Sequence, residues 1–144
     1  MRRSVSLVVL VLTVWIAGSV AWAEESVTSA IAGEELFDNN CSACHSLDKG
    51  DSGIAPSLYG VIGRHVASLP NYGYSAAIKA YDMVWTEDNL KRYLLNPQAQ
   101  FRCHNLTMGH TQECLGIRMP FRGFADPKEA DAVIAYLKVV AGKN

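Results

Sequence analysis

Cys41-Ser42-Ala43-Cys44-His45 constrains this chain more than any other stretch. Two thiols three positions apart on one helical turn can each bond a vinyl group of the same porphyrin. The residue that follows can then turn its imidazole to the iron, for which a neutral ring is a good ligand. This is the spacing of c-type haem attachment. Three other readings compete with it. A redox-active dithiol expects a βαβ context, half of a zinc site needs a second ligand pair, and chance needs nothing. The remainder of the chain has to choose among them.

Residues 1–23 read as an export signal. Arg2 and Arg3 open it, Val5 to Val20 is almost wholly apolar, and Ala21-Trp22-Ala23 is a small-x-small cleavage site with the cut expected before Glu24. An uncleaved membrane anchor is the alternative, since the run is near the lower length for spanning. The arginine pair lacks the flanking sequence of a folded-protein export signal, so general secretion to the periplasm is expected. The remaining 144 − 23 = 121 residues (24–144) give room for one domain. Loss of Arg2 and Arg3 leaves 13 − 2 = 11 basic residues against 14 acidic ones, a net charge of −3. A nucleic-acid binder would be strongly basic, so that class is excluded. Cys41, Cys44, Cys103 and Cys114 all fall in the exported part, where haem thioethers and a disulfide are both permitted.

The pattern along the chain is all-α, with short helices and long loops. Ser26 to Asn40 predicts a leading helix, capped by Thr28 or Ser29, with Ile31, Leu36, Phe37 and Cys41 on one broad face. Gly33 inside it costs ~1 kcal/mol against alanine and marks either close backbone packing or a weak spot. Lys49 to Arg64 and Ser68 to Tyr74 are loops punctuated by glycine and proline. Ser75 to Tyr81 predicts a short helix capped by Ser75. Thr86-Glu87-Asp88-Asn89 opens a stronger one, carrying Leu90, Tyr93 and Leu94 and stopped at Asn96-Pro97. In the last helix Asp126 caps, Pro127 starts and Glu129 fits a capping box; Val133, Ile134, Leu137 and Val140 or Ala141 form the buried stripe, and Gly142 ends it. Helices this short make a poor core by themselves. A large apolar cofactor among them would complete it, which favours haem over zinc.

An iron held by His45 needs a partner on its other face. Met83, Met108 and Met119 are the candidate methionines of the exported part, and His65, His104 and His110 its other histidines. Met119-Pro120 sits in a loop between Gly116 and Gly123, where a methionine can reach the iron, although most methionines only fill apolar gaps. Beyond these points the chain resembles a known family. The haem motif is joined, in order, by Gly33 with Phe37, Ala55-Pro56-Ser57-Leu58, Gly63-Arg64 and Tyr72-Gly73-Tyr74. Then come Trp85-Thr86-Glu87-Asp88, Tyr93-Leu94-Leu95-Asn96-Pro97, Met119-Pro120-Phe121-Arg122-Gly123 and Ile134-Ala135-Tyr136-Leu137-Lys138. This series is similar to the class I cytochromes c, in particular the mitochondrial-like bacterial subgroup, over nearly all of residues 24–144.

The resemblance implies one covalent haem c anchored by Cys41 and Cys44, with His45 as proximal and Met119 as distal iron ligand. It implies that the Pro56 carbonyl takes the proton on the far nitrogen of His45, which fixes the ring. Arg64, Tyr74 and Trp85 would hold a haem propionate, with Tyr72 alongside; Tyr93 would lie near the Met119 sulfur; Gly33 and Phe37 would meet the last helix near Tyr136 and Leu137. Iron closed on both faces carries one electron and does little bond chemistry, so the expectation is an electron-transfer protein and not an enzyme. Its partners would be redox proteins: a donor dehydrogenase or complex, and a terminal oxidase or reductase. Lys49, Lys79, Arg102, Arg118, Arg122 and Lys128 are candidates for a docking face, against ordinary solvated charge. The competing functions are a dedicated cytochrome subunit of one redox complex, and a haem enzyme or ligand sensor with a displaceable methionine.

The chain departs from the family between Pro97 and Met119, where 119 − 97 − 1 = 21 residues replace a much shorter link, an insertion at about 98–116. A Cys103–Cys114 disulfide is expected there and would contribute about 3 kcal/mol by closing a short loop. A metal site from Cys103, His104, His110 and Cys114 is the alternative. Met108 and His110 also compete with Met119 for the iron. Gly116-Ile117-Arg118 replaces the family's usual threonine and lysine. Ile78 stands where mitochondrial forms carry an asparagine, which predicts a drier pocket and a tighter sulfur–iron bond.

Overall fold

The computed structural model describes residues 27–100 and 117–140. The export signal, the Cys103–Cys114 pair with its alternative metal site, Met108, His110, Arg102 and Gly142 all lie outside them. The first helix, α1, covers 27–40 and passes into a tight turn at 41–44, with Cys41 N–H donating to Phe37 O at 2.7 Å. The leading helix therefore runs directly into the Cys-Ser-Ala-Cys-His stretch, as its sequence predicts. Thr28 and Ser29 are already helical and do not cap it. The polar residues there have no terminus to close, because the helix is under way by position 27. A four-residue helix, α2 (Ala76–Lys79), is capped by the Ser75 hydroxyl, which accepts from Ile78 N–H.

Helix α3 (Glu87–Leu95) begins with a full capping box. Thr86 Oγ1 accepts from Asn89 N–H at 3.3 Å while Asn89 Oδ1 accepts from Thr86 N–H at 2.9 Å. Asn89 also donates to Val84 O at 2.7 Å, so the cap ties the helix to the preceding loop. Asn96 ends α3, and Pro97 at once opens one further turn, α4 (Pro97–Gln100), where the sequence suggested only a stop. Helix α5 (Pro127–Val140) starts at a proline whose missing N–H has no helical partner to lose. Asp126 Oδ1 accepts from Lys128 N–H at 2.9 Å and serves as the cap. Among the described residues there is no strand. A lone antiparallel bridge joins His65 to Val84, flanked by Val66 N–H to Met83 O at 2.9 Å and Gly63 N–H to Trp85 O at 2.8 Å.

The core is where α1, α3 and α5 meet. Phe37, Leu90, Leu94, Val133, Ile134 and Leu137 are all buried there, together with Phe124 and Val61 from the loops. Phe37 lies 5.5 Å from the Tyr136 ring, centroid to centroid. Gly33 shows why a costly residue sits mid-helix: a Cβ on it would stand 2.0 Å from the Ala132 carbonyl oxygen of α5. Only a bare backbone fits that crossing. Ile31 is the exception to the predicted face, at 64% exposed. Two residues amount to about 200° of helix rotation, so a side chain two positions before Gly33 points away from α5. On the outside, Lys91 pairs with Asp131 at 2.6 Å and Lys138 with Glu87 at 2.7 Å. Both pairs are half-exposed, and each contributes at most about 1 kcal/mol to the α3–α5 contact.

Candidate haem-binding site

The turn after α1 places the motif. Cys44 and His45 N–H groups both donate to Cys41 O at 3.0 Å, which holds the two thiols on one turn and sends the His45 ring inward. The next loop then folds back over it: Ala55 N–H donates to Cys44 O at 3.1 Å, and Leu58 N–H to Ser46 O at 2.8 Å. This doubling brings the Pro56 carbonyl to 2.8 Å from His45 Nδ1. A carbonyl can only accept, so Nδ1 carries the proton and Nε2 keeps its lone pair. Burial, the largest influence, lowers the His45 pKa against the opposing Pro56 bond, and the nearby Arg64 cation lowers it further. The ring is therefore neutral near pH 7, the state in which imidazole binds iron.

The cysteines fit one of the competing readings poorly. Burial, aided by Cys44, pushes the Cys41 thiol up to about 11. Redox-active dithiols show the opposite, a thiol held well below its ordinary value. No group of three metal-ligating His, Cys, Asp or Glu side chains arranged for an ion occurs among the described residues, so a zinc half-site finds no complement there.

Met119, the expected distal ligand, is half-buried in the loop before α5. Tyr93 on α3 donates its hydroxyl to Met119 Sδ at 3.5 Å. Burial raises the Tyr93 pKa far above the ordinary phenol range, so the hydroxyl remains a donor. Gln98, in α4, donates to the Met119 carbonyl at 2.9 Å, and Arg118 donates to Gly73 O across the loop. The loop returns to the core through Gly123, whose Cβ would lie 2.2 Å from Leu95 O and whose φ is +104°. Phe124 N–H then donates to Leu94 O at 2.9 Å. A thioether and a neutral imidazole, each held by a second group, are a donor set suited to haem iron. Met83 is used differently: its carbonyl takes the Val66 N–H.

The residues expected around a propionate make contacts in pairs. Arg64 and Trp85 are paired through Trp85 N–H to Arg64 O at 2.9 Å, Trp85 lies 5.1 Å from the Tyr93 ring, and Tyr72 lies 4.8 Å from Tyr74. Arg64 also has an assignment that the sequence did not reveal. Its two terminal nitrogens donate to Ser57 O and Tyr59 O, both at 2.7 Å. Burial lowers the Arg64 pKa while the neighbouring Tyr74 raises it. Tyr72 donates to Ile54 O at 3.2 Å. Two residues had no assigned role. Ser57, 1% exposed, donates to Asp48 O at 2.6 Å and accepts from Tyr59 N–H, closing the loop that carries Pro56. Gln98 is the other, and nothing in its sequence surroundings distinguishes it from any exposed glutamine. Of the proposed docking cations, Lys49 lies 5.8 Å over the Tyr59 ring, Arg118 is bonded to Gly73, and Lys79, Arg122 and Lys128 are exposed.

Comparison with known proteins gives the family. The sequence profile of the family described as Cytochrome c matches residues 30–141. Cytochrome c2 iso-1 of Magnetospirillum fulvum is 42% identical over 102 residues, 71% of this chain and 92% of its own length. Cytochrome c of Sesamum indicum is 37% identical over 108 residues, covering 74% and 86%. Among solved structures, cytochrome cH from Methylobacterium extorquens superposes with a TM-score of 0.61 at 34% identity, over 76% of this chain and 97% of that one. The chain belongs to the cytochrome c family, as a class I c-type cytochrome of all-α fold. It is an electron carrier with one covalent haem c, not an enzyme, and it works with redox protein partners.

Proposed function

We propose that this cytochrome is a periplasmic shuttle in which His45 Nε2 and Met119 Sδ would hold the haem iron and Cys41 and Cys44 would form the thioethers. Haem so held supplies a one-electron iron couple, and the chain's own residues position it. The observation that carries the ligand assignment is the 2.8 Å bond between His45 Nδ1 and Pro56 O, which leaves a single nitrogen free for iron. Met119 is supported as its counterpart by the Tyr93 hydroxyl, which contacts the sulfur and would hold one lone pair in place. Arg64, Tyr74 and Trp85 are proposed to face a propionate, with the Arg64 charge already partly ordered by two carbonyls. The periplasmic location rests on the basic, apolar, small-x-small leader. A donor dehydrogenase or complex and a terminal oxidase or reductase are the proposed partners.

The test is the ferric absorption spectrum of the Met119→Ala and Met108→Ala variants. Met119→Ala should abolish the sulfur-to-iron charge-transfer band and admit carbon monoxide on reduction, while Met108→Ala should leave both unchanged. Loss of the band in Met108→Ala alone would overturn the assignment.

A further inference from the structure

Four large apolar side chains stand out into solvent among the described residues: Val27, Ile31, Val139 and Ile54. Ile54 stands alone, and single exposed aliphatics are ordinary. The other three are gathered. Val27, Ile31 and Val139 line one open groove on the outside of the α1–α5 crossing, together with Ala30 and Ala135. Val27 and Ile31 are four positions apart, and so are Ala135 and Val139, so each helix contributes a short apolar stripe along one face. An apolar groove with two such walls is a surface that a second protein can fill.

The charges on the groove say what fills it. Glu34 on α1 and Lys138 on α5 both line it, of opposite sign on opposite walls. Residues 24–38 carry Glu24, Glu25, Glu34, Glu35 and Asp38 and no basic residue. An anionic lipid surface is therefore repelled from the α1 wall. A second α1 laid on the first would set these acids against one another. An α5 laid on α1 instead brings Lys138 to Glu34. In a two-fold pair that contact occurs twice, because each copy receives what it offers. Lys138 already holds Glu87 at 2.7 Å, but it is half-exposed there and an ammonium has three donors, so it can take a second carboxylate. The groove is thus complementary to itself.

We propose that the α1–α5 groove is the face through which two copies of this chain pair, α1 of each lying over α5 of the other, with Glu34 of one copy meeting Lys138 of the second. Three large aliphatic side chains per copy make a small centre, so the pairing is weak and concentration-dependent. Ile31 lies about 15 Å along α1 from Cys41. The pairing therefore leaves the Cys41–His45 turn uncovered, and it does not depend on which residues hold the iron.

The experiment is translational diffusion of the haem-loaded, fully reduced protein, measured by NMR from about 0.05 to about 1 mM. The apparent mass should climb toward twice that of the monomer. Ile31→Lys should raise the dissociation constant at least about tenfold, as loss of a central apolar contact does. Ile54→Lys, the same change of charge at an exposed aliphatic outside the groove, should leave it within about twofold. The arm that tests the geometry mixes two variants. Glu34→Lys alone and Lys138→Glu alone each bring like charges together at both contacts and should weaken pairing about fivefold. Mixed in equal amounts, the two regain opposite charges at both contacts and should pair nearly as well as the parent. A mixture that pairs no better than its components overturns the proposal. So does a parent protein that stays monomeric up to about 1 mM, or an Ile54→Lys variant weakened as much as Ile31→Lys. Flotation with neutral phosphatidylcholine vesicles that is lost in Ile31→Lys would give the groove to lipid instead, and would also overturn it. Lys138→Glu gives up the Glu87 partner as well; should its circular dichroism spectrum change, the comparison of Ile31→Lys with Ile54→Lys decides alone.

Discussion

The segment that holds His45 and the segment that holds Met119 are built by opposite strategies. Around His45 the bonds to the ring and from the Arg64 side chain are local. Pro56 is 11 residues away, and Arg64 reaches Tyr59 and Ser57 over 5 and 7 positions. Around Met119 the supports among the described residues are distant: Gln98 at 21 positions, Tyr93 at 26, and Arg118 to Gly73 across 45. Short connections close at low entropic cost, and long ones depend on the rest of the fold being in place. The two sides of the proposed site should therefore differ in how they fail.

The sharpest test of that contrast is Arg64→Ala. It leaves the Ser57 and Tyr59 carbonyls without their donor, at a cost of about 2–4 kcal/mol in unfolding free energy. Because the loss falls on the local side, the charge-transfer band should persist until the whole protein melts. A band that vanishes well below the melting temperature would break the comparison. Tyr93→Phe comes next, costing about 1 kcal/mol. Here the band should go first, at a temperature where far-ultraviolet circular dichroism still reports native helix. Coincident loss of both signals would count against the distant side being the weaker.

A pH titration separates the regions more finely. Burial raises the Tyr74 pKa, more than the neighbouring Arg64 charge lowers it. The folded state then keeps its phenol protonated where the unfolded chain, at about 10, gives the proton up. The folded chain binds more protons in that window, so this contribution is fully present below about pH 10 and declines as pH rises beyond it. Denaturant midpoints between pH 8 and 12 should fall more steeply in the parent than in Tyr74→Phe; parallel curves would refute the assignment. The smallest effect belongs to Gln98→Ala. Its thermal midpoint should barely move, yet exchange of Met119 for added imidazole should quicken by about two- to fivefold, as expected for a lost exposed hydrogen bond. Unchanged exchange would mean that the Met119 carbonyl needs no tether.

The same split explains what the sequence made legible. The motif, the Thr86 and Asp126 caps and the helix they start rest on residues within a turn or two of each other, and pattern reading finds such relations. Gly33 was readable as a choice between two meanings, and the Ala132 carbonyl decides it. Ile31 was misplaced because an apolar residue on a helix does not say which neighbour it will find; the crossing at Gly33 sets that direction. The Arg64 bonds to Ser57 and Tyr59 are short in sequence but involve carbonyls, which every residue has, so no side-chain pattern announces them. Gln98 stayed hidden for the opposite reason, since its partner is a backbone atom 21 residues on.

The bare contact between Gly33 and Ala132 also sets a schedule. These positions are 132 − 33 = 99 residues apart, so the Gly33 crossing cannot form until the last helix has been made. Pro127, where α5 begins, comes 127 − 45 = 82 residues after His45. A chain emerging from its N-terminus thus presents both thiols and the imidazole well before its ends can clasp. The crossing that clasps the two ends of the domain is thus the last part of the chain to become available.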